Sequence, residues 1–298
     1  MSTEVRIDAL LPAEMARRAE YLGVRKAELP ALKVFTLAIL AGAFIALGAI
    51  FATTIWSGGM TIKGADGVAA FSTGLPYGVT RLLGGVVFCV GLILVVIGGA
   101  ELFTGNNMIV MAWASRKVST LALLRNWGIV YLGNFVGSIG TALMLLLSKQ
   151  YTFSEGAVGV TALRIADTKV GLEFMPALAL GILCNALVCL AVWMTYSARS
   201  VIDKIAAIVF PISAFVAAGF EHSIANMYFI PIGLFIKAFD PAFMESAAVV
   251  NAKLDLANLT WGNFLLNNLL PVTIGNIIGG AILVAAVYWS VFLRGNNQ

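Results

Sequence analysis

Two long apolar stretches of this chain are interrupted by the same polar punctuation. The first interruption reads Gly99-Ala100-Glu101-Leu102-Phe103-Thr104-Gly105-Asn106-Asn107-Met108. The second reads Gly219-Phe220-Glu221-His222-Ser223-Ile224-Ala225-Asn226-Met227. Each opens with Gly-x-Glu and closes with Asn-Met, and each falls in the second hydrophobic segment of its half of the chain. Lipid offers no partner to a freed backbone N–H or C=O, so such a break is tolerable only where protein or a cavity surrounds it. Paired breaks at corresponding places in two halves point to a transport site.

The flanking composition leaves one class of protein. Hydrophobic residues make up 60% of the chain, charged residues 11%, and the mean hydropathy is +0.94. A soluble domain carries about 25% charged residues. The expectation is a polytopic membrane protein with no separate soluble module. The net charge of +4 is spread over loops without a dense basic patch, which gives no nucleic-acid signal.

The spans are expected at about 33–56, 81–100 resuming at 108–114, 120–147, 174–197, 205–220 resuming at 227–236, and 262–293. Residues 57–80 and 148–173 read as loops, and Asp240-Pro241 as the start of a short interfacial helix. Arg17, Arg18, Arg25 and Lys26 precede the first span, while Arg116, Lys117 and Arg125 follow the second. Arg199 and Lys204 lie between the fourth and fifth spans, and Arg294 closes the chain. Short Lys/Arg-rich loops stay cytoplasmic, so both termini are expected inside. Charged residues run through positions 4–28 without an apolar core, so no signal peptide is expected.

The expected organisation is a cytoplasmic N-terminal amphipathic helix within 1–31, a single six-helix channel domain over 32–293, and a tail at 294–298. The N-terminal segment reads first as an anchor on the membrane surface. Within the channel domain an internal repeat is visible. Asn126-Trp-Gly-Ile-Val-Tyr-Leu-Gly-Asn-Phe-Val-Gly137 matches Asn268-Leu-Leu-Pro-Val-Thr-Ile-Gly-Asn-Ile-Ile-Gly279 in register. Three spans per half is an odd number, so the halves, about 32–148 and 174–293, are expected to cross in opposite directions. The small-xxx-small pairs Gly133/Gly137 and Gly275/Gly279 read as close helix contacts.

The polar residues inside spans carry the chemistry. His222 is the chain's single histidine, beside Glu221 at a break. One histidine builds no metal site, but an ionisable group within a span is a functional candidate. Thr104 can offer its hydroxyl across to His222. Asn185 reads as a pore residue, and Asn276, with its mate Asn134, as a packing residue. Glu101 and Glu221 read as structural at the breaks, accepting hydrogen bonds from freed backbone N–H groups. Asn107 and Asn226 close the two breaks and read likewise. Cys89, Cys184 and Cys189 lie in apolar spans and read as small hydrophobes. No metal, cofactor or catalytic constellation is expected.

With these residues assembled, the chain resembles the formate/nitrite transporter family, and within it the bacterial formate channels. The resemblance rests on Gly99-Ala-Glu101-Leu-Phe-Thr104, on Gly219 to Met227, on Ala191-Val-Trp-Met-Thr-Tyr-Ser-Ala-Arg199-Ser and on Pro271-Val-Thr-Ile-Gly-Asn276-Ile-Ile-Gly-Gly. It implies an aquaporin-like all-α fold of six transmembrane helices, with the second and fifth broken. It also implies a homopentamer in the bacterial inner membrane that passes formate or related small anions through a pore in each protomer. It implies Leu92 and Leu102 at a cytoplasmic constriction, Phe88 and Phe215 at a periplasmic one, and Thr104, His222 and Asn185 in the chamber between them. The Leu102–Asn107 loop would be mobile, and the N-terminal helix would contact a formate-producing enzyme. Nitrite, hydrosulfide and an aquaporin-type neutral solute stand as alternative substrates.

Overall fold

The computed structural model describes residues 9–58, 61–63, 69–72 and 74–295. Residues 1–8 of the N-terminal segment, residues 296–298 of the tail and parts of the 57–80 loop lie outside the described residues.

Six helices are long and apolar enough to cross a membrane. They are α2 (Ala31–Trp56), α3 (Tyr77–Gly98), α6 (Thr120–Ser148), α8 (Phe174–Ser197), α9 (Val201–Ala218) and a last continuous helical run, α13 (Trp261–Phe292). The bounds follow the apolar stretches to within four residues at each end, because lipid-facing length is a property of local sequence. Within α13 the hydrogen bonding widens to a π pattern over Phe264–Leu269 and Ile278–Ala286.

The remaining helices are shorter: α1 (Pro12–Ala27), α4 (Phe103–Asn106), α5 (Val110–Ala114), α7 (Ala157–Val170), α10 (Ser223–Phe239), α11 (Pro241–Met244) and α12 (Ala247–Ala252). Among the described residues the architecture is helical apart from a small antiparallel hairpin, β1 (Thr61–Lys63) with β2 (Ala69–Ser72), in which Thr61 pairs with Ser72.

Close approach of backbones sets the packing. A Cβ placed on Gly137 of α6 would lie 2.0 Å from the Ile39 carbonyl of α2. A Cβ on Gly279 of α13 would lie 2.1 Å from the Ile182 carbonyl of α8. Both glycines therefore let two helices touch backbone to backbone. Helices α3 and α9 then pack on each other between these pairs.

Two sequence expectations change here. The 148–173 segment contains α7, whose Val158, Ala162, Leu163, Ala166 and Val170 are buried along one side. The i,i+4 spacing of these small apolar residues was a helix signal masked by the polar residues between them. The N-terminal helix α1 buries one side against protein, where the sequence offered only the membrane surface to receive it. Its Met15, Ala16, Ala19, Gly23 and Ala27 pack into protein, against Met108–Ala112, Trp193 and the end of α13. A Cβ on Gly23 would come within 2.9 Å of that of Ala112, so only a minimal side chain allows the contact.

Candidate functional site

Each interruption begins with a glycine in left-handed conformation, Gly99 at φ +71° and Gly219 at φ +77°. Glycine reaches this region without a Cβ clash, which lets the chain leave the helix abruptly. Helix resumes at Phe103 after the first glycine and at Ser223 after the second.

The freed backbone groups are satisfied by asparagines from distant helices. Asn134 Oδ1 accepts from the Phe103 N–H at 2.9 Å, and its amide donates to the carbonyls of Ala38 at 2.8 Å and Glu101 at 2.9 Å. Asn276 does the same at the second site. Its Oδ1 accepts from the Ser223 N–H at 2.9 Å, and its amide donates to the carbonyls of Gly181 at 2.8 Å and Glu221 at 2.9 Å. These asparagines complete the backbone's hydrogen bonding where lipid cannot, which is more than packing.

The carboxylates are held by side chains, contrary to the expectation of backbone N–H donors. Lys26, in the last turn of α1, donates to Glu101 Oε1 at 2.7 Å, and Asn106 donates to Oε2 at 2.7 Å. Lys169, in the last turn of α7, donates to Glu221 Oε1 at 2.7 Å, and Asn226 donates to Oε2 at 2.6 Å. The outer ring matches as well. Asn126 accepts from Asn106 and donates to the Lys26 carbonyl, while Asn268 accepts from Asn226 and donates to the Lys169 carbonyl. Both glutamates are 5% exposed, so each buried charge has a cation and an amide as compensation. Sequence reasoning missed the roles of Lys26, Lys169, Asn106, Asn126 and Asn268. The repeated Asn126/Asn268 register was the available signal for two of them.

The Leu102–Asn107 segment is wound into helix α4 and is pinned through Asn106, which accepts from Lys26 at 3.1 Å. Asn107 donates to the Phe103 carbonyl at 2.9 Å, while its Oδ1 is buried without a protein partner.

What the two breaks do not share is the reactive pair. Thr104 Oγ1 lies 3.0 Å from His222 Nε2, and both residues are buried. His222 is also the N-cap of α10, and its Nδ1 accepts from the Ala225 N–H at 3.1 Å. An Nδ1 lone pair occupied by a backbone N–H assigns the ring proton to Nε2. That proton points at the Thr104 oxygen, which leaves the threonine hydroxyl hydrogen available to an acceptor elsewhere.

Apolar side chains lie near the pair. The Phe215 ring lies against His222 with centroids 5.8 Å apart and an 18° interplanar angle. Phe88 meets Phe215 edge-on at 5.8 Å. Leu92 and Leu102 line a cavity of about 400 Å³ with Arg18, Arg25, Lys26 and Lys204. Asn185 is fully buried, and its amide donates to the carbonyls of Asn276 at 2.7 Å and Thr104 at 3.3 Å. Cys189 Sγ lies 3.3 Å from the same Thr104 carbonyl. Among the described residues no cluster of three or more His, Cys, Asp or Glu side chains could hold a metal ion.

The comparisons with known proteins agree with one another. A formate/nitrite transporter family model matches residues 13–290. The formate channel FocA of Escherichia coli strain K12 is 46% identical over 299 residues, covering 100% of both chains. The Haemophilus influenzae formate channel FocA is 41% identical over 93% of this chain and 92% of its own. Among solved structures, a pentameric formate channel with formate bound superposes with a TM-score of 0.76 at 44% identity, covering 88% of this chain and 98% of that one. A match of this extent leaves one conclusion: the chain belongs to the formate/nitrite transporter family.

Proposed function

We propose that this protein conducts formate across the bacterial inner membrane, through a pore in each protomer of a homopentamer with both termini cytoplasmic. The observation that carries the reading is the buried Thr104–His222 pair at 3.0 Å, with Phe215 against the imidazole and Phe88 edge-on to Phe215. The names of the relatives, formate channels, support the substrate.

The matched Lys–Glu–Asn–Asn sets support reading the chain as an inverted repeat with broken second and fifth helices. Under that reading the N-terminal helix belongs to the first half as α7 belongs to the second. The exposed side of α1 is then the surface on which a formate-producing enzyme would dock.

The physics of the site favours passage as the neutral acid. A bare carboxylate between apolar rings carries a prohibitive desolvation cost. His222 with its Nδ1 lone pair engaged is a neutral imidazole whose Nε2–H polarises the Thr104 hydroxyl. The Thr104 O–H then donates to the carboxylate and orients it, and a hydronium from the aqueous side gives its proton to the carboxylate and leaves as water, so that formic acid crosses the apolar rings. The test is formate flux in liposomes, with nitrite, hydrosulfide and glycerol as competitors. Formate transport blocked by none but small anions supports the reading. Glycerol permeation without formate flux would sink it.

A further inference from the structure

Arg81 lies in the second turn of α3. Arg81, Gly85, Phe88 and Leu92 follow one another at helical spacing and form a single stripe along α3. Arg81 precedes Phe88 by seven positions, so the arginine stands roughly 10 Å outward along the helix axis from the Phe88/Phe215 constriction. Helix α9 runs antiparallel beside this stripe. Gly85 abuts Ser213, Phe88 abuts Phe215, and Arg81 reaches the end of α9.

The contacts at that end are specific. Arg81 Nη2 donates to the Val216 carbonyl at 2.6 Å and Nε donates to the Ala217 carbonyl at 3.1 Å. The guanidinium lies 4.6 Å above the Trp56 ring centroid. Among the described residues Arg81 has no acidic partner and its Nη1 has no acceptor. Its positive charge is therefore directed at the carboxyl-terminal carbonyls of α9, one and two residues after Phe215.

A helix C-terminus carries about half a negative charge. Left bare beside the constriction, it repels the anion that the pore must admit. The opposite mouth shows a related placement. Lys204, in the first turn of α9, lines the cavity together with Val95, Val96 and Gly99 at the end of α3. At each mouth, then, a cation from the start of one broken helix stands near the carboxyl end of the other.

We propose that Arg81 is the positioning residue of the outer mouth: it offsets the negative end of α9 beside Phe215 and so sets how readily an external anion reaches the constriction. The inference rests on the anion-conducting reading above.

The experiment is zero-trans formate uptake into right-side-out membrane vesicles carrying the full chain, for wild type, Arg81→Gln and Arg81→Lys. Arg81→Gln is expected to raise the apparent KM for external formate about fivefold, the scale of a lost charge–dipole interaction, with maximal flux within twofold of wild type. Arg81→Lys is expected to keep the KM within about twofold, since it restores the charge without the two-pronged geometry. Raising salt from about 0.1 M to 1 M, which shortens the screening length from about 10 Å to 3 Å, is expected to raise the KM of wild type and Arg81→Lys. An unchanged KM in Arg81→Gln overturns the role, and so does a loss confined to maximal flux or a failure of lysine to rescue. If Arg81→Gln does not assemble, a wild-type KM indifferent to salt overturns it. Absent wild-type flux overturns the anion reading together with this one, whereas normal wild-type flux with unaltered variant constants overturns only the role of Arg81.

Discussion

His222 donates from Nε2 toward Thr104 Oγ1 across 3.0 Å while its Nδ1 caps the helix that begins at Ser223. One imidazole thereby joins two helix restarts through residues 118 apart in sequence. The ring is held at both nitrogens, so its tautomer follows from the backbone, and the free hydrogen-bonding capacity of the site resides on Thr104.

This arrangement separates the two side chains by experiment. Thr104→Ser keeps the hydroxyl and is expected to retain formate flux within about threefold. Thr104→Ala removes it and is expected to lower flux by at least about tenfold, the scale of a lost hydrogen bond to a charged group. Stopped-flow uptake in liposomes distinguishes them, and equal rates for Ser and Ala would remove Thr104 from the pathway.

His222→Asn preserves a good N-cap for α10 while removing the Nε2–H that polarises Thr104. The folded protein is expected to survive, and formate flux in liposomes is expected to fall toward that of Thr104→Ala. Flux equal to wild type would show that the imidazole is not involved in transport.

The Lys169–Glu221 pair gives a stability test. Lys169→Met leaves a buried carboxylate without its cation, which costs about 3–5 kcal/mol in comparable buried pairs. The expected outcome is a large fall in the midpoint of detergent-solubilised unfolding. Lys169→Met/Glu221→Gln removes the stranded charge and is expected to recover most of it. A double variant no more stable than the single one would contradict the pairing.

Asn134→Leu and Asn276→Leu are expected to destabilise the protein by similar amounts. Each strands the N–H of Phe103 or Ser223 and two carbonyls, and one buried unsatisfied group alone costs about 1–3 kcal/mol. Thermal unfolding monitored by tryptophan fluorescence measures both, and an effect confined to one of the two would break the equivalence of the sites.

Outside the membrane segments, Asp240 ties the end of α10 to the chain after α6. Lys149 and Tyr151 both donate to its Oδ2, and together they hold its carboxyl down to about 2. Its ordinary unfolded value is about 3.9. A depressed folded value means that this stabilisation is complete above about pH 4 and is lost as pH falls toward 2. Asp240→Asn is therefore expected to flatten the acid limb of the stability curve in that window, leaving stability near neutrality lower and less dependent on pH. Circular dichroism against pH reads the difference.

How much of this was legible before folding depends on the range of the constraint. The spans, their ends and the two glycine-initiated breaks are written locally, because hydrophobic length and backbone conformation answer to neighbouring residues and to lipid. The facing of Thr104 and His222 was legible for a related reason, since each stands where the other break has an apolar residue, Ile224 and Leu102. Helix α7 escaped notice because its buried side is small and weakly apolar. Lys26 read as a charge on the N-terminal helix and Lys169 as a loop charge, and nothing near them in sequence says which carboxylate they reach.

The chain by itself determined a six-span membrane protein with two polar interruptions and a histidine at one of them. Only the tertiary structure decided that Lys26 meets a glutamate 75 residues away and Lys169 one 52 residues away. It also decided that Asn134 and Asn276 complete the broken backbones and that Arg81 turns its charge on the end of α9. A buried charge or a freed amide fixes the need for a partner, but lipid supplies none, and the identity of that partner is settled by which helices the glycine contacts bring together.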